Sequence, residues 1–360
     1  MGIIFFDLTS QYRSIKKEID SAVKRVLQSG GFIGGKEVER LEKEVAKLCG
    51  AKYGIGVNSG TDALFLSLKA LGVGQGDEVV TTPFTFIATA EAIANLGARP
   101  VFADIQSDTL NINPAEIETA VTTKTKAILP VHLFGQTADM PKIMRIARKR
   151  RLRVIEDAAQ SLGAAPLRGD CACLSFFPSK NLGACGDGGM VVTNQKKIAD
   201  KIRLLRNHGS SPQDKYLNLV LGVNSRLDAL QAAVLRVKLR RLKEWNRKRR
   251  EKAKFYHQEL EGLVEVPRLK PSHVFHQYTL RTKFRDRLRK HLKERGIPTR
   301  IYYPLPLHLQ PAFKYLKYKR GDFPQAERAA KEVLSLPIYP ELPLAHQKKI
   351  IQAILEFFYD

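Results

Sequence analysis

The chain has 360 residues, 44% of them apolar, which is more than one hydrophobic core comfortably serves, so two lobes are expected. With 27% charged residues and no apolar run of about 18 residues, it lacks the pattern of a membrane span, and the opening Met1-Gly2-Ile3-Ile4-Phe5-Phe6-Asp7 lacks the basic flank of an export signal; a cytoplasmic protein is expected. The net charge of +24 invites a polyanionic partner, but the basic runs at 145–153 and 236–254 keep apolar residues at helical spacing and lack a series of aromatics for base stacking, so they read as solvated helix faces and not as a nucleic-acid site.

Two amphipathic helices come first, one with Ile15, Ile19, Ala22, Val23 and Val26 on a face, the other with Val38, Leu41, Val45 and Leu48. From about residue 50, β-rich runs alternate with helical patterns, as in a mostly parallel sheet built from crossover units. Strands are expected at Tyr53–Val57, 78–82, 100–104, 127–133 and Arg153–Asp157, with helices starting near Thr61, Thr85, Pro114 and Met140. Two more strands, 172–177 and Gly189–Thr193, flank a glycine-rich turn. A helix starting near Ser225, with Leu227, Leu230, Val234 and Val237 on one side, is expected to join the lobes. Beyond it, strands at 276–281 and 299–303 and helices at 285–295, 326–336 and 344–358 suggest a smaller α+β lobe. The division is thus 1–240 and 241–360.

The four cysteines, Cys49, Cys171, Cys173 and Cys185, are too few to staple a chain of this length. Cys171-Ala172-Cys173 has no second pair or histidine at metal-site spacing, so it reads as part of a buried strand and no metal is expected.

Three separated segments would each lie at a strand end, where open α/β sheets place ligands. Asn58-Ser59-Gly60-Thr61-Asp62 leads from a strand into a helix whose free N–H groups suit a phosphate, with Gly60 allowing close approach and Thr61 adding a hydroxyl; an ordinary helix cap is the alternative. Val154-Ile155-Glu156-Asp157-Ala158-Ala159-Gln160 ends an apolar strand in acids. Asp157 there can cap a helix or keep a pyridine nitrogen protonated, and Gln160 can reach the phenolic oxygen of the same ring. Ser175-Phe176-Phe177-Pro178-Ser179-Lys180-Asn181-Leu182-Gly183 presents one lysine after an apolar strand, suited to carbonyl capture if desolvated, with Ser175 placed to join the phosphate contacts. Phosphate anchor, ring-nitrogen acid and reactive amine together describe a cradle for pyridoxal 5'-phosphate (PLP).

These segments resemble the DegT/DnrJ/EryC1/StrS sugar aminotransferases of the fold-type-I PLP superfamily. The likeness extends from Phe6-Asp7-Leu8 and Gln11-Tyr12 through Gly186-Asp187-Gly188-Gly189, Arg206-Asn207-His208-Gly209 and Asn224-Ser225-Arg226-Leu227-Asp228 to Tyr302-Tyr303-Pro304 and His308. It implies an α/β fold with helices on both faces of a mostly parallel sheet, and Lys180 as the catalytic lysine. It further implies that Phe86 stacks on the cofactor, that Asn224 reaches the partner subunit's cofactor in a homodimer with shared sites, and that Arg226 and His308 lie near the sugar nucleotide. The implied reaction moves an amino group from L-glutamate or a similar donor to a keto sugar on a nucleotide diphosphate, for amino sugars of surface polysaccharides or secondary metabolites. Deoxygenating relatives replace the lysine with histidine, and a non-catalytic basic regulator would rest on charge alone. One departure stands out: segment 161–174 is several residues shorter than usual, so a loop near the site entrance or dimer interface is expected to be trimmed, with substrate choice affected.

Overall fold

The computed structural model describes residues 2–359. Three helices open the chain, α1 (Leu8–Ser14), α2 (Lys16–Ser29) and α3 (Gly35–Leu48). Strands and helices then alternate as β1 (Tyr53–Val57), α4 (Gly60–Ala70), β2 (Glu78–Thr81), α5 (Ala88–Ala94), β3 (Arg99–Phe102), α6 (Pro114–Ala120), β4 (Thr125–Ile128), α7 (Met140–Arg150) and β5 (Arg153–Asp157). Next come β6 (Cys171–Ser175), β7 (Gly189–Thr193), α8 (Lys196–Leu205), α9 (Ala229–Leu239) and α10 (Leu242–Leu260). The chain closes with β8 (Tyr278–Arg281), α11 (Arg285–Glu294), α12 (Pro324–Glu332), β9 (Val333–Leu336) and α13 (Leu344–Tyr359).

Strands β1 to β7 form one sheet in the order β1-β7-β6-β5-β4-β2-β3. Only β7 runs against the others, pairing antiparallel with β1 and β6. The sheet is covered on both faces because its strands are apolar on both. Along β6, Cys171 and Cys173 face the core shared with α4 and α8, whereas Ala172 and Leu174 face the core shared with α2, α3 and α9. The two strand cysteines are therefore packing residues, and burial pushes the Cys171 thiol up to about 12. Strands β8 and β9 form a separate antiparallel pair whose core includes α10, α11 and α13, and also Ile3 from the chain start. Among the described residues, no helix is long and apolar enough to cross a membrane and no His, Cys, Asp and Glu cluster fits a metal.

Several elements differ from the sequence expectation. The strand expected at 127–133 is Thr125–Ile128, because Pro130 has no N–H for the ladder; beyond it a single bridge, Val131 to Asp157, remains. The helix expected near Thr85 starts at Ala88. The helix expected from Ser225 starts at Ala229, since the residues before it are tied sideways: Ser225 N–H to Arg206 O at 2.9 Å, and Ala229 N–H to Phe32 O at 2.9 Å. It also stops at Leu239, so it does not join the two cores. That role belongs to α10, whose Leu242 and Trp245 lie in the large-sheet core and whose Ala253, Tyr256 and Leu260 lie in the core of β8 and β9. The expected strand 299–303 is reduced to one bridge, Arg300 to Ser335. The expected helix 326–336 splits into α12 and β9, because its apolar tail pairs with β8.

Charge also divides differently. The run 145–153 is a solvated face, as expected. In the run 236–254, however, Lys238 and Arg249 are buried: Lys238 donates to Gly183 O at 2.7 Å, and Arg249 to the carbonyls of Phe275, His276 and Ile338 at 3.2, 3.3 and 2.9 Å. Burial lowers the Arg249 guanidinium to about 10, opposed by Glu341. These two cations fasten the lysine loop and the segment before β8. Replacing Leu41, fully buried between α3 and the sheet, by alanine is expected to cost about 2–5 kcal/mol, read from the denaturant midpoint.

Candidate active site

The C-terminal ends of β1, β5 and β6 and the N-terminal end of β7 lie at one edge of the sheet. A cavity of about 620 Å³ opens there and gathers Gly60, Thr61, Phe86, Asp157, Gln160, Ser175 and Lys180, seven of the expected site residues. At one end, α4 begins. Ser59 caps it, its Oγ accepting from Asp62 N–H at 3.0 Å, so the helix-cap reading of this motif also holds. The N–H groups of Gly60 and Thr61, in the first turn, have no intrahelical acceptor and carry the positive end of the helix dipole. A side chain at Gly60 would put Cβ 2.7 Å from Ser175 Cβ, and one at Gly189 would meet Ser59 O at 2.2 Å. Glycine at both positions lets β1, β6 and β7 converge and brings the Ser175 hydroxyl to the helix end.

At the other end Asp157 is 6% exposed. One carboxylate oxygen accepts from Thr89 Oγ1 at 2.8 Å and the other from Ala159 N–H at 3.2 Å; Thr85 Oγ1 lies 3.2 Å from Thr89 Oγ1. Burial raises the Asp157 pKa, and the hydrogen bonds from Thr89 and Ala159 and the charge of Lys180 offset this only in part. The site therefore lacks a full counter-charge for an ionised Asp157, and a pyridinium N–H supplies one. Burial likewise lowers Lys180 from its ordinary value to about 8, with Asp157 opposing the shift, so roughly a tenth is free amine at pH 7, far more than for a solvated lysine. Phe86, 56% exposed, stands at the cavity mouth with its ring 6.3 Å from that of Tyr303. Phosphate donors, an undercompensated buried acid and a desolvated amine in one cavity fit PLP.

Gln160 lines the cavity but is already engaged: its Oε1 accepts from Phe134 N–H at 2.7 Å, and its Nε2 donates to Tyr303 Oη at 3.3 Å. One Nε2 hydrogen is left for a ring oxygen. Asn224, Arg226 and His308 are not among the cavity-lining residues of the chain. Asn224 is exposed and bridges Asn207, and Arg226 donates to Asn207 Oδ1 at 3.0 Å. His308 is buried in the turn Leu307–Leu309, with Nε2 3.1 Å from Glu327 Oε1; Leu307 N–H to Pro83 O at 2.7 Å fixes that turn.

The shortened segment 161–174 contributes no residue to this cavity. It lies beside Cys49 at the end of α3, where Leu167 N–H bonds Cys49 O, and with His132 and Glu156 it borders a separate cavity of about 230 Å³. Its position there follows from the alternation of β5, which sends Asp157 toward the cofactor cavity and Glu156 away from it. Glu156 accepts from Arg168 N–H at 2.8 Å, Gly169 N–H at 2.6 Å and His132 Nε2 at 2.8 Å. Ala138 N–H donates to His132 Nδ1, which places the ring hydrogen on Nε2. The segment expected to be trimmed thus does not line this cavity.

Sequence reasoning assigned no role to Thr89, His276, Gln277 or Tyr303, all of which line the cavity. Thr85 and Thr89, four residues apart, were the readable sign of a hydroxyl pair; nothing in the spacing around His276 marked it.

With this geometry in view, comparisons with known proteins are decisive. A model of the DegT/DnrJ/EryC1/StrS aminotransferase family matches residues 13–355. The chain belongs to that family. A Geobacillus stearothermophilus protein named pleiotropic regulatory protein is 52% identical over 99% of both chains. The UDP-N-acetyl-3-dehydro-alpha-D-glucosamine 3-aminotransferase of Acidithiobacillus ferrooxidans is 47% identical, covering 95% of this chain and 94% of its own. The crystal structure of S. venezuelae DesV in complex with a ketimine intermediate is 42% identical and superposes with a TM-score of 0.97, covering 100% of this chain and 99% of that one.

Gly60→Ala is expected to weaken PLP retention at least about tenfold, measured by cofactor dialysis, because the added methyl drives Ser175 away from the helix end. PLP uptake by the cofactor-free protein is expected to speed up as pH rises through about 8, since only the unprotonated Lys180 attacks a carbonyl. Stopped-flow absorbance checks this, and uptake that slows over the same range contradicts it.

Proposed function

We propose that the protein is a PLP-dependent aminotransferase that moves an amino group from L-glutamate or a similar amino acid to a keto sugar carried on a nucleotide diphosphate. The observation that carries this reading is the convergence of Lys180, Asp157 and the Gly60–Thr61 helix end on one cavity, in a family whose relatives include nucleotide-sugar aminotransferases. When bound, PLP supplies an aldehyde for amine exchange and a ring that takes up the electron pair released at the substrate carbon.

The chain's own residues divide the remaining work. The N–H groups of Gly60 and Thr61, the Thr61 hydroxyl and the Ser175 hydroxyl hold the phosphate dianion. Asp157, oriented by Thr89 and Ala159, keeps a negative charge against the ring nitrogen. Gln160 would offer its remaining Nε2 hydrogen to the ring oxygen, and Phe86, at the cavity mouth, would stack on the ring. Lys180 would hold the cofactor through its amine, and the same amine, when free, would take a proton from the donor's α-carbon and later give one to the sugar carbon.

Residues of the 216–226 segment complete the site from a second subunit in this reading. Tyr216 and Leu221 are 82% and 88% exposed, and Leu217, Leu219, Phe32 and Ile33 add further exposed apolar surface, more than a free monomer usually shows on one segment. A homodimer that buries this segment brings Asn224 and Arg226 toward the neighbouring cavity. Leu221→Asp is expected to reduce the mass measured by light scattering toward that of one chain.

The central test follows the cofactor spectrum. Glutamate or another amino acid is expected to convert the lysine-bound cofactor to its amine form in the wild type and not in Lys180→Ala, and keto sugar nucleotides are expected to reverse the change. A wild type supplied with PLP that never binds it covalently overturns the proposal.

A further inference from the structure

We infer that the cleft between the large-sheet lobe and the β8–β9 lobe holds a second ligand site, apart from the catalytic cavity, for an uncharged hydroxyl-bearing molecule of monosaccharide size, read by His273 and Gln136.

The cleft encloses a cavity of about 340 Å³. That falls within the roughly 300–1,000 Å³ common to small-molecule sites. One wall is the stretch after β3, 107–110, with the turn after β4, 133–136, and the other is drawn from 265–281. The second wall owes its polarity to the alternation of β8: Tyr278 and Leu280 face the core of the smaller lobe, so Gln277, Thr279 and Arg281 face the cavity. Val274 N–H to Gly135 O at 3.0 Å and Gln277 N–H to Phe134 O at 3.3 Å tie the walls together.

The charges on these walls are spent within the protein. Arg281 Nη2 donates to Glu265, which also pairs with Arg328 at 3.3 Å, and Arg268 pairs with Asp108 across the cleft. The groups left open are neutral. His273 is 2% exposed, its ring stacks on Phe275 with centroids 3.7 Å apart, and its Nδ1 accepts from Phe275 N–H at 3.0 Å. That bond places the imidazole hydrogen on Nε2. Burial, with the charge of Lys270 adding to it, lowers the imidazole to about 3, so the ring stays uncharged. Its Nε2–H has no protein acceptor and is not sealed off.

Gln136, 3% exposed, keeps Oε1 open with no protein donor, while its Nε2 is buried without an acceptor. Gln277 Oε1 and Arg281 Nη1 are buried in the wall without partners as well. Buried polar groups are ordinarily paired, so this concentration of unpaired ones around a single void is a deficit that an occupant relieves. An open N–H and an open amide oxygen together call for a group that both accepts and donates. A hydroxyl does so without charge, whereas a carboxylate gives Gln136 Oε1 no hydrogen and finds no unspent cation. Leu110, Leu133, Phe134 and Val266 line much of the rest, which suits the C–H face of a hydroxylated ring.

The test titrates the PLP-loaded protein, labelled with ¹⁵N-histidine, with D-glucose and N-acetyl-D-glucosamine, and with glycerol, acetate and inorganic phosphate for comparison. The Nε2–H resonance of His273, identified by its loss in His273→Phe, is expected to shift saturably with at least one of the two sugars and with neither anion. No saturable shift up to about 100 mM sugar, or saturation by acetate or phosphate, overturns the inference. Saturation by glycerol alone marks an adventitious additive only and overturns it too.

Gln136→Met keeps the bulk of the side chain and removes its amide. Because that amide has no partner in the protein, the variant's unfolding midpoint is expected to stay at or above the wild-type value, while sugar affinity falls about three- to tenfold. Unchanged affinity, or a lowered midpoint that makes the amide structural, overturns the inference.

Discussion

A carboxylate buried at the end of β5 with too few partners sets the terms for everything around it. Asp157 accepts one hydroxyl and one amide hydrogen bond, fewer than a buried ion needs, and the shortfall makes the cavity selective for a cation. Lys180 answers part of that demand, but burial costs the ammonium as well, which brings the amine into a reactive range. Each group is thus tuned by a deficit in the other's surroundings. Filling the cavity with a phosphate-bearing pyridinium relieves the acid, occupies the helix end and leaves the lysine free to react.

The polar chain behind Lys180 shows how the lobes share in this. Asn181, Asn246 and His276 come from the lysine loop, α10 and the segment before β8, and Arg249 on the same helix fastens the carbonyls of Phe275 and His276. A buried network with this many paired groups is rigid, because any displacement orphans several of them at once. The wall of the cavity built by the C-terminal part is accordingly fixed to the same loop that carries the lysine.

Much of this was legible in the sequence. Motifs whose chemistry is local, such as Gly60-Thr61, Asp157 and Ser175 through Lys180, stood out because three strand ends with complementary side chains occur together, although each alone has an ordinary use such as a helix cap. The fold class followed from alternating strand and helix patterns. What stayed hidden depends on contacts distant in sequence. Thr89 is an ordinary helical threonine until β5 brings Asp157 beside it. Lys238 and Arg249 read as members of a solvated run because a helix face shows its charge but not which carbonyls await it. The apolar run that ends as β9 suits a helix and a strand equally, and pairing with β8 decides between them.

Segment 161–174 divides its duties along its length. Its last residues, Cys171–Leu174, belong to core strand β6, and Cys173 pairs with Asp157, so they are tied to the frame of the site. The stretch before them meets Glu156 through the backbone amides of Arg168 and Gly169. A peptide N–H can come from any residue except proline, so that hold on Glu156 asks little of side-chain identity, apart from Gly169, where a Cβ would meet Val154 O at 2.7 Å.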